Sequence, residues 1–286
     1  MKRLWLAAGA VWLAATALAV FAGSAGISTA AASATSRGGW VGSPPPGWGV
    51  YDALGSLVEC PQGLVNWGGG SALIDEKNEW LGTSAPYWSE KAGSYGWLSY
   101  ASGLFGEGTL YSYAVCAVAP KNWSIQSQVR TSPPVGLSSV VAKCPIDPLT
   151  GKATKAIGGG AYSFDSDQEI VSSFPSSAHA WKVVMETTIP GSDSYYAYVV
   201  CGEPVKPSRV TGANMIVPPG ATTAATVACP AGSFETGGGA AAAKATVVLM
   251  ETTFPMDEPT HGWRVDYQNT GSTNATITPY VVCAQG

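Results

Sequence analysis

Residues 229–283 read CPAGSFETGGGAAAAKATVVLMETTFPMDEPTHGWRVDYQNTGSTNATITPYVVC, and the order of landmarks in this stretch decides the fold. It opens on Cys229-Pro230, reaches Gly237-Gly238-Gly239, passes Pro255 and Trp263, and closes on Tyr280 to Cys283. The same order occurs twice upstream. One copy runs Cys60-Pro61, Gly68-Gly69-Gly70, Pro86, Trp97 and Tyr113 to Cys116. The other runs Cys144-Pro145, Gly158-Gly159-Gly160, Pro175, Trp181 and Tyr198 to Cys201. Pro133-Pro134 and Pro218-Pro219 lead into the second and third copies, and Pro44-Pro45-Pro46 plays that part in the first. The period is about 85 residues, which divides the chain into modules at 38–116, 123–201 and 209–286.

Inside each module the pattern is that of β-strands. Trp181, Val183 and Met185 alternate with polar or smaller residues, as do Trp263, Val265 and Tyr267, the two-residue period of a half-buried strand. Residues 196–201 and 278–283 are dense in aromatic and β-branched side chains, and 247–254 and 169–174 give further strands. The Pro-Pro lead-ins cannot sit inside a central strand, because Pro lacks the ladder donor. They mark turns between a preceding strand (127–130, 214–217) and a following one. Only Ala240 to Lys244 has helix-like composition, and that is too short to stand alone. The expectation is an all-β protein of three disulfide-stapled modules, built as tandem β-sandwiches or as one pseudo-threefold β-prism.

The glycine triplets admit two readings. A phosphate-cradling loop needs a strand before it, a helix after it and a lysine in place, and none of these is present. Close approach of two backbones, a bulge or a positive φ each account for a triplet that recurs three times.

Lys2 and Arg3, an uncharged apolar run from Leu4 to Gly23 and the A-x-A pattern at Ala32-Ser33-Ala34 read as a secretory signal over residues 1–34. An uncleaved N-terminal membrane anchor is the alternative. Export makes disulfides expected. Each module carries one Cys near its start and one at its end, so the equivalent pairing is Cys60–Cys116, Cys144–Cys201 and Cys229–Cys283. A cross-module pairing, Cys116–Cys144 and Cys201–Cys229 with Cys60–Cys283 left over, is the rival. No Cys or His spacing suits a metal, and no cofactor is expected.

Composition removes other classes. Apolar residues make up 46% of the 286, while charged residues make up 12%, about half the usual share. The formal net charge is −4, and the signal carries two of the 15 basic residues, so the footprint of a nucleic-acid binder is missing. With 35 Gly and 20 Pro the chain is rich in turns, and 11 Trp, 12 Tyr and 6 Phe argue against disorder.

The combination of Cys229-Pro-Ala-Gly232, Gly237 to Gly239, Gly262-Trp263-Arg264-Val265 and Tyr280 to Cys283 resembles a repeat of secreted actinobacterial proteins. The second copy departs at Ile146-Asp147, and the first by an insertion before Trp97. The resemblance implies an exported β-rich repeat and brings no catalytic residues with it.

No serine-hydrolase or zinc-protease motif occurs, and all six Cys are assigned to disulfides. His179 and His261 stand at equivalent places two residues before the module Trp, where the first copy has Tyr95, which fits a loop-end role. Asp75, Glu76, Asp165, Asp167 and Glu251 are available carboxylates without a recurring arrangement, and Asp165-Ser-Asp167 is too sparse for calcium. The expectation is a protein without catalysis. Aromatics crowd the first module: Trp40, Trp48, Trp67, Trp80, Trp88 and Trp97. Trp80, Tyr87 and Trp88, assigned to the insertion, are the candidate ligand-binding residues, for the faces of sugar rings. Capping of a terminal repeat is the competing explanation. The function expected is an extracellular binding or surface-interaction protein for a polysaccharide or the cell envelope. Its rivals are an envelope structural protein without small ligand and a carboxylate-dependent hydrolase.

Overall fold

A computed structural model describes residues 57–285 except 75–78, 91, 104–108, 132, 149, 164, 205, 244–247 and 257–259, with 35–36, 49–54 and 102–103 as backbone alone. The signal expected at 1–34, Pro44 to Pro46, Trp40, Trp48, Asp75 and Glu76 lie outside the described residues. No helix occurs among the described residues.

The first third of the chain forms β1 (Thr35–Ser36), β2 (Gly49–Leu54), β3 (Leu57–Glu59), β4 (Val65–Ile74), β5 (Glu79–Ser89), β6 (Ser94–Gly103) and β7 (Thr109–Ala117). The second forms β8 (Lys121–Arg130), β9 (Gly136–Lys143), β10 (Lys155–Ser163), β11 (Gln168–Ser177), β12 (Ala180–Thr187) and β13 (Tyr195–Glu203). The last forms β14 (Ser208–Thr211), β15 (Met215–Val217), β16 (Thr222–Ala228), β17 (Ser233–Ala243), β18 (Val248–Met256), β19 (Gly262–Asn269) and β20 (Ala275–Gln285). The alternation read at 181–185 and 263–267 is that of β12 and β19, with Trp181, Val183, Met185, Trp263, Val265 and Tyr267 buried.

Three sheets result. Sheet A has the order β1-β2-β7-β4-β18-β19-β16, sheet B β3-β6-β5-β10-β13-β8, and sheet C β14-β20-β17-β11-β12-β9 with β15 also on β20. Every sheet is therefore shared between two thirds of the chain. The first and last thirds make A, the first and second make B, and the second and last make C. This cyclic sharing is the prism arrangement, and tandem sandwiches are excluded. The Pro-Pro lead-ins fall between β8 in sheet B and β9 in sheet C, and between β15 in C and β16 in A. They are the corners where the chain changes sheet.

Halves meet at narrow junctions. In sheet B, β5 and β10 pair at Ser84↔Ala161. In sheet C, β11 and β17 pair at Ser173↔Ala240, and in sheet A, β18 and β4 pair at Thr252↔Ala72 and Thr253↔Ser71. The triplets make these junctions possible. A Cβ on Gly70, Gly160 or Gly239 would strike the carbonyl oxygen of Thr253, Ser84 or Ser173 across the junction. A Cβ on Gly68 would strike the Thr236 carbonyl, one on Gly158 the Trp67 carbonyl, and one on Gly237 would lie 2.6 Å from the Gly158 Cα. These three contacts close a ring in which all thirds touch. The middle glycines Gly69, Gly159 and Gly238 are seats for the indole rings of Trp97, Trp181 and Trp263. No triplet glycine has a positive φ, whereas the ladder shifts register just before each triplet, so close approach and a bulge are what the triplets supply.

Each seated Trp is at most 1% exposed, and its indole N–H is satisfied inside the core. Trp97 donates to Ser84 Oγ at 3.0 Å, Trp181 to Ser173 Oγ at 2.9 Å and Trp263 to Thr253 Oγ1 at 2.8 Å. Pro86, Pro175 and Pro255 lie opposite these Trp residues, two positions beyond the junction pairs. Their missing N–H thus costs no bond across the junction.

The disulfides are Cys60–Cys116, Cys144–Cys201 and Cys229–Cys283, each within one third of the chain, and no free cysteine is left. Each closes a long loop, worth about 4 kcal/mol in the chain-entropy view. Three such bonds belong to an oxidising, extracellular-type setting. The helix-like composition at 240–243 forms no helix. Ala240 to Ala243 are strand, paired with Pro279 to Thr276 of β20. Alanine's helix preference is a fraction of a kcal/mol per residue, and ladder bonds override it. Lys244 lies outside the described residues.

Candidate functional site

On one side of the Ser84 junction the halves of sheet B are held together by Thr83, which gives its hydroxyl to the Ser163 carbonyl at 3.1 Å and receives the Ser163 N–H at 3.0 Å; on the other side they part. Past Ala85 an open pocket of about 490 Å³ lies between the halves. Pro86, Tyr87, Trp88, Tyr95 and Leu98 of β5 and β6 form one wall, and Trp123, Ile125, Tyr162 and Tyr198 of β8, β10 and β13 the other. That volume is in the range of small-ligand sites.

The hairpin of β5 and β6 sets the first wall. Trp88 is paired across it with Tyr95, the ring centroids being 4.3 Å apart. Tyr95 meets the edge of Trp123 at 4.6 Å, so three rings run in series from one wall to the other. Trp123 is fixed by its indole N–H on the Asn66 carbonyl at 3.1 Å, and Asn66 gives its side-chain amide to the Gly96 carbonyl at 2.9 Å. Trp88 is 43% exposed, an open aromatic face at the pocket's rim. On the far wall Tyr162, Tyr196 and Tyr198 stand 6.2 to 6.5 Å apart. Burial, then the neighbouring tyrosines, push the Tyr162 and Tyr198 hydroxyls above the usual phenol value, so they stay protonated.

Of the three candidate ligand-binding residues, Tyr87 and Trp88 line this pocket and Trp80 does not. By register Trp80 occupies the place of Glu169 and Leu249, ahead of the insertion, and its indole N–H donates to Gln268 Oε1 of β19 at 2.8 Å. Nothing in the sequence marks Tyr95, Trp123, Tyr162 or Tyr198 as ligand-binding. Three of the wall strands, β8, β10 and β13, belong to the second third of the chain, and only the tertiary fold brings them to β5. The capping explanation finds no open end, since the first third pairs with both others.

The same place in the other two sheets is filled. Phe254 of β18 stacks on Tyr113 of β7 at 5.0 Å, with the Arg264 guanidinium 6.0 Å from the Phe254 ring. Phe174 of β11 stacks on Tyr280 of β20 at 5.4 Å, and Arg209 lies 5.9 Å from the Tyr280 ring while donating to the Pro175 carbonyl at 3.0 Å. By strand register Phe174 and Phe254 correspond to Ala85, and Tyr113 and Tyr280 to Tyr198. Ala72 and Ala241 correspond to Tyr162, which meets Tyr198 edge-on at 6.5 Å instead of stacking. Arg264 and Lys182 correspond to Leu98, and Arg209 to Ile125.

The remaining candidates lie elsewhere. The carbonyls of Tyr95, His179 and His261 accept the N–H of Cys60, Cys144 and Cys229, a loop-end role common to all three thirds. His179 Nδ1 lies 2.7 Å from the Thr154 carbonyl, and His261 Nδ1 lies 3.1 Å from the buried Glu235 carboxylate. Asp165 accepts the Asp167 and Asp193 amides at 3.1 Å each, which closes its own loop. No group of three metal-ligating side chains occurs among the described residues. Glu169 and Glu186 face each other across β11 and β12, and burial, then the Glu186 charge, lifts Glu169 to about 7. Burial lifts Glu251 of β18 likewise to about 7. None of these carboxylates lines the pocket. No protein-family model matches the chain, and no curated protein matches it.

Proposed function

We propose that the protein is a secreted, non-catalytic module that binds a polysaccharide in the aromatic pocket of sheet B. The observation that carries this reading is the pocket itself: open, walled by aromatic rings from two thirds of the chain, and free of carboxylates. Sugar rings present apolar C–H faces and polar edges. A half-exposed Trp88 supplies a flat surface for the former, and the protonated tyrosine hydroxyls supply partners for the latter. The disulfides fit a chain that works outside the cell, as does the signal read at 1–34, and the repeat resembles those of secreted actinobacterial proteins. Trp88 and Trp123 are built-in reporters. Titrating the protein with soluble plant and microbial cell-wall polysaccharides should give a saturable change in tryptophan fluorescence that Trp88→Ala removes. No response to any of them would favour an envelope structural role without small ligand. Hydrolysis of a glycan, lost on replacing Asp165 or Glu251, would favour an enzyme.

A further inference from the structure

The residues that shape the pocket also bear on its ligand's charge. Where sheet A has Arg264 and sheet C has Lys182, sheet B has Leu98. Where sheet C has Arg209, sheet B has Ile125. Arg209 spans its junction, bound to a carbonyl on one side and set over a tyrosine ring on the other. The pocket of sheet B thus keeps the tyrosine and lacks every cation that accompanies it elsewhere. No charged side chain lines it, and Leu98 and Ile125 put two aliphatic groups on opposite walls.

Resting on the polysaccharide reading above, we infer that the pocket selects neutral sugar chains and rejects acidic ones, with Leu98 and Ile125 as the residues that set this preference. A carboxylate or sulfate brought between these walls loses water and meets no counter-charge, a cost a neutral ring does not bear. A neutral ring keeps its hydroxyls on the tyrosines and its faces on Trp88. The series Trp88–Tyr95–Trp123 crosses from one wall to the other, and Tyr162 and Tyr198 share the wall of Trp123, so aromatic faces meet the sugar from more than one side.

The test titrates the intact protein with cellohexaose and xylohexaose, which are neutral, and with hexagalacturonate, which carries a carboxylate on every ring. Neutral hexamers are expected to bind at least about tenfold more tightly, with little change between low and high salt. The Leu98→Lys, Ile125→Arg double variant rebuilds the cations of sheet C at positions where this fold already carries them. It should lose that preference and gain salt-sensitive binding of hexagalacturonate. Equal or tighter binding of hexagalacturonate by the unaltered protein overturns the inference and leaves polysaccharide binding standing. Unchanged selectivity in a folded double variant removes the role of Leu98 and Ile125. No binding of any hexamer or polymer overturns the polysaccharide reading, and this inference with it.

Discussion

Sheets B and C are made the same way and end differently. Each joins two half-sheets through a single residue pair, seats a tryptophan on a glycine beside it and directs the indole N–H to a serine hydroxyl. On the other face of the same strands, sheet C closes its junction with the Phe174–Tyr280 stack and Arg209, while sheet B leaves a pocket. The difference comes down to a few side chains. Phenylalanine becomes Ala85, alanine becomes Tyr162, and the cations become Leu98 and Ile125. The buried face maintains the fold and is held to one pattern in all three sheets. The outer face is free to vary, and one copy has varied into a cavity.

The harshest way to break the comparison is to attack what the sheets share. Trp181→Ala and Trp97→Ala should each cost about 3–5 kcal/mol in urea unfolding. Near-equal losses would show that both junctions depend on one frame; a loss confined to one would separate them. Next is conversion of sheet B to the sheet C pattern. Ala85→Phe combined with Tyr162→Ala should refill the wedge, keep the fold and weaken glycan binding at least about tenfold. Binding that survives the double variant would place the ligand elsewhere.

The third prediction uses pH, through a buried carboxylate that sheet C has on β11 where sheet B has Trp80. Glu169 holds its proton to about pH 7 in the folded chain, against an ordinary glutamate value of 4.5. As pH rises from about 4.5 to about 7 the unfolded chain ionises first, so this group lowers stability across that window and by a constant amount above it. Allowing for partial solvation, Glu169→Gln should raise stability at pH 8 by about 1–2 kcal/mol and have little effect at pH 4. Melting curves at the two pH values check it; equal gains at both would sink the titration account. The smallest effect is expected from Arg209→Leu, about 0.5–1 kcal/mol for a cation over a ring at a half-open site, and it should not alter glycan binding.

Much of this was legible in the chain, and the part that was not has a physical reason. The triplets, the module tryptophans and the cysteines repeat because the buried face tolerates one solution, so spacing places them, while the choice of within-module over cross-module disulfides comes from the structure. The triplet at Gly68 to Gly70 reads as a close approach, but its partners are Thr236 and Thr253, far along the chain, and local pattern does not name them. Tyr87 and Trp88 stand out as an excess of aromatics in the insertion. Trp123 and Tyr162 do not, and Tyr198 stands out only as a module landmark, because each lies in an ordinary strand and gains its place in the pocket from what faces it. Trp80 stands close to Tyr87 in sequence, yet it reaches Gln268 of sheet A. One clue to the pocket was present all along: Ala85 precedes Pro86, where Phe174 and Phe254 precede Pro175 and Pro255.

The pairing of Ala72 with Thr252 joins the opening third of the chain to its last. A growing or translocating polypeptide cannot complete sheet A until β18 has emerged, so the early strands wait with an unpaired edge for nearly the whole of synthesis. Ladders between such distant residues form slowly, since the loop entropy must be met before the contact repays it. Under the export proposed above, in which the chain would cross a membrane as a thread, this delay has a use: the fold cannot close too soon.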